Sequence, residues 1–251
     1  MARSYQELER ELKFKRYPAK EKKFSQRVLM VHFFGGNQRL LKRHINLMNE
    51  LGLDVYAFDL SYSKKFVYKK VPDFKNQMFK VRKIWAEEIR EVLAYVPGPL
   101  ITYGFSGPAA CAIQVAKDYP QKVVGLISDS GPFTHLLRCN YNLAKVEFGL
   151  NKPWQRILAT GLLSPLWDLK HTSELLDDLA MIPKGTPYLS IQPVLDPVVP
   201  VQYMEDVFQR SKHQLDLKVL RLEESGHLDG LKKQPEKYKS YLESWLKKHF
   251  A

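Results

Sequence analysis

The chain has 251 residues, 45% of them hydrophobic, which is enough apolar material for the core of one large α/β domain. Lys and Arg number 39 against 27 Asp and Glu, which gives a formal net charge of +12. We interpret this surplus first as solvated surface lysines that keep the protein soluble, and second as a means of binding a nucleic acid, a membrane surface or an anionic substrate. The sequence contains no zinc-finger spacing, recognition helix or RNP-type motif, so a nucleic-acid partner is not expected.

The first quarter of the chain predicts two strands and a helix after an edge strand. Residues 11–17 alternate charged and apolar side chains, as a half-exposed edge strand does. Residues 27–34 are almost continuously apolar, which is typical of a strand buried on both faces of a parallel sheet. Apolar residues at helical spacing over 38–51 predict a helix that ends at Gly52, and residues 54–59 form the next predicted strand.

The middle of the chain continues the alternation of helices and strands. Residues 77–95 carry an apolar helical stripe, and residues 99–103 read as a strand that leads through a tight turn into an alanine-rich helix over 108–116. A further buried strand is predicted over 122–129. This order indicates right-handed βαβ units around a mostly parallel central sheet with helices on both faces.

The alternation is interrupted once and then resumes. Residues 133–184 contain no convincing strand and are rich in Leu and Trp, so we expect a helical lid or cap insertion over the carboxyl edge of the sheet, within one domain of residues 1–251. After it, we predict strands over 186–192 and 215–222 and helices over 201–210 and 235–250.

The start of the chain and its cysteines bear on location. It begins polar and charged, and no run reaches the roughly 18 apolar residues of a spanning helix, so neither a signal peptide nor a membrane span is expected. Only Cys111 and Cys139 are present, and neither has a second cysteine or a histidine at metal-ligand spacing. These features predict a cytoplasmic protein without a disulfide framework.

The most informative motif is Gly104-Phe105-Ser106-Gly107-Pro108, between a predicted strand and a predicted helix. A strand, tight turn and helix with serine at the apex would expose the Ser106 hydroxyl to a base and to neighbouring backbone amides. Asp196 and His227 follow two later strands, at the same carboxyl edge of the sheet. A serine, an imidazole and a carboxylate that orients the imidazole are the parts of a catalytic triad.

Two of these assignments have alternatives within the sequence. Asp196 could serve only to cap the following helix, and Asp129, at the end of its own strand, is a second candidate for the acid. Asp229 stands two residues after His227 and could hydrogen-bond locally. We take Asp196 as the acid and His227, which stands before the last predicted helix, as the base. The resulting order Ser, Asp, His along the chain matches a known triad order.

Four features together resemble the α/β-hydrolase superfamily, from about residue 27 to the C-terminus. They are His32-Phe-Phe-Gly-Gly36, the Ser106 turn, Asp196-Pro-Val-Val-Pro200 and Ser225-Gly-His227. The resemblance implies the α/β-hydrolase fold and an oxyanion hole made by the backbone amides of Gly107 and Phe34, with Phe33 as the alternative to Phe34. The chain departs from the family pattern in three places. Phe33 replaces a glycine of the oxyanion loop, Pro108 replaces the last glycine of Gly-x-Ser-x-Gly, and Leu60-Ser-Tyr-Ser63 follows Asp59 in place of a Gly-His-Gly-type turn.

The resulting hypothesis is a serine hydrolase that cleaves carboxylic esters or related small acyl substrates through an acyl-enzyme on Ser106. A thioesterase or lysophospholipase would use the same residues, and a non-catalytic protein of this fold that binds a ligand is the alternative of another class. The chemistry requires no cofactor and no metal, and the sequence has no phosphate-binding glycine loop.

Further side chains are candidates for the pocket and its surroundings. Those that could line an acyl pocket, with packing inside the lid as the alternative that such residues more often serve, are Phe34, Phe105, Trp154, Leu162, Leu163 and Trp167. His32 is expected to brace the oxyanion loop, and the remaining histidines, at 44, 135, 171, 213 and 249, to lie on the surface or on helices. The basic segment 64–83 predicts a preference for anionic substrates and weak association with an anionic membrane surface.

Overall fold

The structure, a computed structural model, describes residues 3–61 and 81–251. Its strands in this part of the chain are β1 (Lys15–Tyr17), β2 (Arg27–Val31), β3 (Asp54–Ala57), β4 (Leu100–Phe105), β5 (Val123–Asp129), β6 (Pro187–Pro193) and β7 (Asp216–Leu222). They form one sheet in the spatial order β1-β3-β2-β4-β5-β6-β7. β1 is antiparallel to β3 and every other pairing is parallel. The predicted α/β class and mostly parallel sheet are confirmed.

Helices connect the strands and cover both faces of the sheet. Within the described residues they are α1 (Tyr5–Glu11), α2 (Lys42–Glu50), α3 (Val81–Tyr95), α4 (Ala109–Asp118), α5 (Leu136–Val146), α6 (Pro153–Trp167), α7 (His171–Met181), α8 (Val201–Arg210), α9 (Gly230–Lys233) and α10 (Pro235–Phe250). A core on one face draws on α3, α4, α7 and α8, and a second core on the other face draws on α2 and α10. This two-layer cover explains why the central strands are apolar along their whole length.

The N-terminal region differs from the sequence-based expectation. Its first element is α1, whose N-terminus is capped by Ser4 and Glu7 in a reciprocal capping box. The predicted edge strand over 11–17 is reduced to Lys15–Tyr17, which does lie at the edge of the sheet. Helix α1 escaped prediction because Leu8 is its one buried residue, and a single apolar position leaves no periodicity to detect.

Three helices, α5, α6 and α7, lie between β5 and β6, where the sequence predicts a helical insertion. The buried guanidinium of Arg82 on α3 holds α7: its Nη1 donates to Glu174 Oε2 at 2.6 Å and its Nη2 to Asp178 Oδ2 at 2.6 Å. Lys117 on α4 donates to the other oxygen of Asp178 at 2.8 Å. Buried charges are tolerated when they are paired and hydrogen-bonded in this way. The action of the segment as a lid stays a prediction.

The basic segment 64–83 falls almost wholly outside the described residues, as do residues 77–80 of the predicted helix. Its described end consists of Val81, Arg82 and Lys83. Arg82 is completely buried and paired, and Lys83 Nζ lies 3.5 Å from Glu174 Oε1. These two cations are therefore engaged in ion pairs within the fold.

Candidate active site

Ser106 occupies a sharp turn between β4 and α4. Its φ is 54°, in the left-handed region that non-glycine residues rarely adopt. The turn is held from both sides, because the Ser106 amide donates to Asp129 O at 2.8 Å and Ser106 O accepts from the Ala109 amide at 3.1 Å. Pro108 lies at the N-cap of α4, where its missing N–H costs no helical hydrogen bond. The strain is therefore sustained by bonds to the neighbouring strand and helix.

The turn also depends on the absence of a side chain at Gly104. A Cβ atom at this position would lie 2.6 Å from Ala109 Cα, closer than real contacts allow, so strand β4 and helix α4 can approach only with glycine there. The glycine two residues before the serine is thus explained by packing.

We expect Gly104→Ala to lower the free energy of unfolding by about 1–3 kcal/mol, because the backbone of α4 must move to admit the methyl group. The same shift would displace Ser106 and lower activity. Gly161→Ala is the matched control, since a Cβ on Gly161 of α6 would meet nothing within 4 Å. Urea unfolding of both variants checks this: equal stability of the two would contradict the packing argument.

Asp196 and His227 are joined by a hydrogen bond. His227 Nδ1 lies 2.7 Å from Asp196 Oδ2, and the carboxylate is fully buried. The other carboxylate oxygen accepts from the amides of Val198 and Val199 at 2.8 Å each, so Asp196 both caps a turn and orients the imidazole. The Leu195 amide donates to Ser225 O at 2.9 Å, which ties the two loops together. The carboxylate holds the proton on Nδ1, leaving Nε2 as an acceptor.

Asp129, the second candidate for the acid, has different partners. Its Oδ2 accepts from Tyr238 Oη at 2.6 Å and its Oδ1 from Ser130 Oγ at 2.8 Å. Burial raises the pKa of Asp129 to about 6, although both hydrogen bonds favour its charged form. Tyr238 Oη also contacts Tyr103 Oη, so this carboxyl belongs to a buried network beneath the site.

This network extends through Ser130 to the loop that carries His227. The sequence alone indicates no role for Ser130. Ser130 Oγ accepts from the Leu228 amide at 3.0 Å, directly after His227. Ser130 and Leu228 both have positive φ values, 58° and 60°. Asp229 bonds locally, its Oδ1 accepting from the Gly226 amide at 2.7 Å. The His227 loop is therefore fixed at several points, which keeps the imidazole in one orientation.

The loop after β2 is braced by His32. The ring is buried: Leu60 N donates to Nε2 at 2.8 Å, which leaves Nδ1 to donate to Phe33 O at 2.8 Å. The Gly36 amide donates to the same carbonyl at 2.9 Å. His32 thus joins this loop to the end of β3, which accords with the expected bracing role.

Ser106 and His227 line one pocket of about 250 Å³. The residues that line it with them include Phe33, Phe34, Gly107, Phe133, Leu163, Leu166, Trp167 and Leu228. The wall is mainly apolar, with Asn140 and Glu147 as its polar exceptions besides the candidate catalytic side chains. A mainly apolar pocket with a few convergent polar groups is the usual form of a small-molecule site.

Three of the six side chains considered for an acyl pocket do not line it. Phe34, Leu163 and Trp167 do line it. Phe105 instead packs in the core beneath α2 and α10, stacked on Tyr103 with ring centroids 4.5 Å apart, because alternate residues of β4 face that side. Trp154 and Leu162 lie on the outer face of α6, with 61% and 62% of their surface exposed.

Two histidines expected on the surface or on helices lie on helices but are buried: His44 on α2 and His171 on α7. His171 accepts from Trp167 Nε1 through Nδ1 at 3.0 Å, so its Nε2 donates to Phe133 O at 3.0 Å. Both of these partners line the pocket. Burial, together with the charge of Arg82, lowers the pKa of His171 to about 3.

Because the folded protein holds His171 neutral, the unfolded chain binds a proton more readily below the ordinary pKa of 6.5. Stability from this group is complete above pH 6.5 and is lost as the pH falls toward 3, at about 1.4 kcal/mol per pH unit. We expect His171→Asn to be less stable than the native chain at pH 7 but to lose less stability on acidification. Urea unfolding at pH 7 and pH 5 measures the difference, and parallel losses would contradict it.

Neither a candidate metal site nor a membrane-spanning helix occurs among the described residues. No group of three or more His, Cys, Asp or Glu side chains in residues 3–61 and 81–251 could hold a metal ion. In the same part of the chain, no helix has both the length and the apolar character needed to cross a membrane.

Comparisons with known proteins identify the fold. No protein-family model matches the chain, and no curated protein matches it by sequence. Among solved structures, a monoacylglycerol lipase of Paleococcus ferrophilus is similar with a TM-score of 0.66 and 18% identity, over 95% of this chain and 99% of the other. An esterase of Pyrococcus furiosus has a TM-score of 0.64 and 16% identity, over 100% and 96%.

A proline iminopeptidase of Mycobacterium smegmatis is similar with a TM-score of 0.65 and 14% identity, over 94% of each chain. The match covers almost the whole of each chain in all three cases, so the likeness concerns the complete fold. The sheet order, the turn at Ser106 and these structural matches agree, and the chain has the α/β-hydrolase fold.

Proposed function

We propose that this protein is a serine hydrolase that cleaves carboxylic esters or related acyl substrates, with Ser106 as nucleophile, His227 as base and Asp196 as the acid of the triad. The observation that carries the proposal is the 2.7 Å bond between His227 Nδ1 and Asp196 Oδ2 beside a pocket that His227 and Ser106 both line. The esterase and lipase among the structural neighbours support the same class of reaction.

In this mechanism, Ser106 Oγ attacks the acyl carbonyl while His227 Nε2 takes the hydroxyl proton. The negative charge of Asp196 stabilises the imidazolium that forms. His227 then gives the proton to the leaving alcohol as the carbon–oxygen bond breaks, and an acyl-enzyme remains on Ser106. A water molecule, deprotonated by His227, attacks the acyl-enzyme. His227 then gives this proton to Ser106 Oγ as the bond between the acyl carbon and Ser106 Oγ breaks, which releases the carboxylic acid and restores the hydroxyl.

The oxyanion of each tetrahedral intermediate would accept from the amides of Gly107 and Phe34. Both residues line the pocket together with Ser106, which supports this assignment over a donor outside the pocket. Each such donor contributes on the order of 3 kcal/mol to transition-state stabilisation. Phe33 lines the same wall and stays the alternative to Phe34.

The apolar wall favours substrates with a hydrocarbon acyl group. The pocket volume of about 250 Å³ is just below the usual range for ligand sites, about 300–1,000 Å³, which favours short and medium chains. A panel of p-nitrophenyl esters from acetate to palmitate tests the proposal. We expect the highest kcat/KM at short or medium length and an initial burst of p-nitrophenol. A folded protein that hydrolyses none of these esters would contradict it.

A further inference from the structure

Helix α6 presents large apolar side chains to solvent along one face. Trp154, Ile157, Leu158 and Leu162 are 61%, 64%, 60% and 62% exposed, and we call these four residues the α6 stripe. Their positions follow the i, i+3, i+4, i+8 pattern of one helix face, which places them on the same side of α6. Single exposed apolar residues are ordinary on a protein surface, whereas four adjacent ones on one helix face mark a surface that binds something.

The opposite face of α6 is apolar as well. Leu163, Leu166 and Trp167 line the pocket that holds Ser106. A helix with apolar residues on both faces is usually buried on both, yet the described part of this chain covers only the pocket side. Among residues 3–61 and 81–251, the α6 stripe therefore has no covering partner, and one helix separates it from the pocket.

The charges carried by α5, α6 and the segment that joins them indicate the kind of partner. Residues 136–167 contain one acidic side chain, Glu147, and four cationic side chains, Arg138, Lys145, Lys152 and Arg156. Within the described parts of the chain, none of these four cations lies in an ion pair with a carboxylate. Arg138, Lys145 and Lys152 are exposed, so their charges are available to an anionic partner.

We propose that the α6 stripe docks on an anionic phospholipid surface. Trp and branched aliphatic side chains on one face with Lys and Arg beside them are the pattern of a helix that lies in the plane of a membrane interface. The exposed cations Arg138, Lys145 and Lys152 would attract phosphatidylserine or another anionic headgroup. A second copy of this chain is a poorer occupant, because a two-fold interface at the stripe would bring the same cations face to face.

Docking has a consequence for the pocket. The pocket wall formed by Leu163, Leu166 and Trp167 would then lie one helix away from the membrane surface, where lipophilic esters are concentrated. This consequence rests on the proposed hydrolase function, whereas the docking itself does not. The two are therefore tested separately.

The test measures binding of the full chain to vesicles of phosphatidylcholine with and without phosphatidylserine, by co-sedimentation. We expect binding to the mixed vesicles that weakens with added salt. The double variant Ile157→Ser with Leu158→Ser should bind at least about 10-fold more weakly, since it removes apolar area from the docking face. Met181→Ser, which changes a residue 66% exposed on α7, is the matched control and should stay within about twofold of native.

A charge variant, Lys145→Glu with Lys152→Glu, should weaken binding to the mixed vesicles alone. Equal binding by the serine double variant, equal binding to both kinds of vesicle, or no binding by the native chain would overturn the proposal. So would a native dimer that the serine substitutions dissociate, without vesicle binding. Ser106→Ala should bind vesicles as the native chain does, so a failure of the hydrolase proposal leaves this result unaffected.

Discussion

Replacing Ser106 with alanine is expected to lower kcat for ester hydrolysis by about 10⁶-fold, because the variant lacks the oxygen that forms the acyl-enzyme. Substrate binding should persist, since the apolar wall and the proposed oxyanion donors are unchanged. Residual turnover above the uncatalysed rate would come from those donors and from binding. The measurement is steady-state hydrolysis of the best p-nitrophenyl ester, with active enzyme excluded as a contaminant.

Ser173→Ala is the matched control for this prediction. Ser173 is an exposed serine on α7 whose hydroxyl donates to Lys170 O at 3.0 Å, and its loss should leave kcat unchanged. If Ser106→Ala kept a kcat within about 10-fold of the native value, a role as nucleophile would be ruled out.

Exchanging Asp196 for asparagine is expected to lower kcat by about 10⁴-fold. The amide would no longer stabilise the imidazolium, and it could place its N–H₂ toward His227 and favour the wrong tautomer. The asparagine side chain keeps one oxygen that can accept from the backbone amides of Val198 and Val199, so we expect the variant to fold. Circular dichroism and urea unfolding establish folding, and kcat against pH measures the loss.

Asp129→Asn is the paired variant that separates the two candidate acids. In this variant the asparagine oxygen can still accept from Tyr238 or from Ser130. The side-chain bonds of Asp129 run to these two residues and do not involve His227. We expect its loss in kcat to be at least about 100 times smaller than that of Asp196→Asn. The reverse order of effects would assign the acid to Asp129 instead.

The regular part of the fold was predictable because its signals are local. Helices α8 and α10 begin and end where the apolar periodicity does, at Val201–Arg210 and Pro235–Phe250. The central strands can be recognised in the sequence as unbroken apolar runs, because both of their faces are buried. The N-terminal helix α1 lacked such a signal, because its stability rests on a capping box and one buried leucine.

From the sequence, one can predict which strand ends carry the residues of the site, but not the directions of their side chains. The sequence places Ser106, Asp196 and His227 after three strands, and the parallel sheet brings those ends to one edge. Which way a side chain points depends on strand register, and Phe105 faces the core for that reason. The Ser130 bond to the Leu228 amide joins residues 98 positions apart and needed the folded structure.

Mapping the adduct of a fluorophosphonate probe by mass spectrometry tests the central claim most directly. The probe forms a stable covalent bond only with an activated serine, so it reports the nucleophile without requiring the natural substrate. We predict one adduct per chain on the Ser106 side chain, and none on Ser106→Ala. A folded native chain that stays unlabelled, or one labelled at a different residue, would contradict the account.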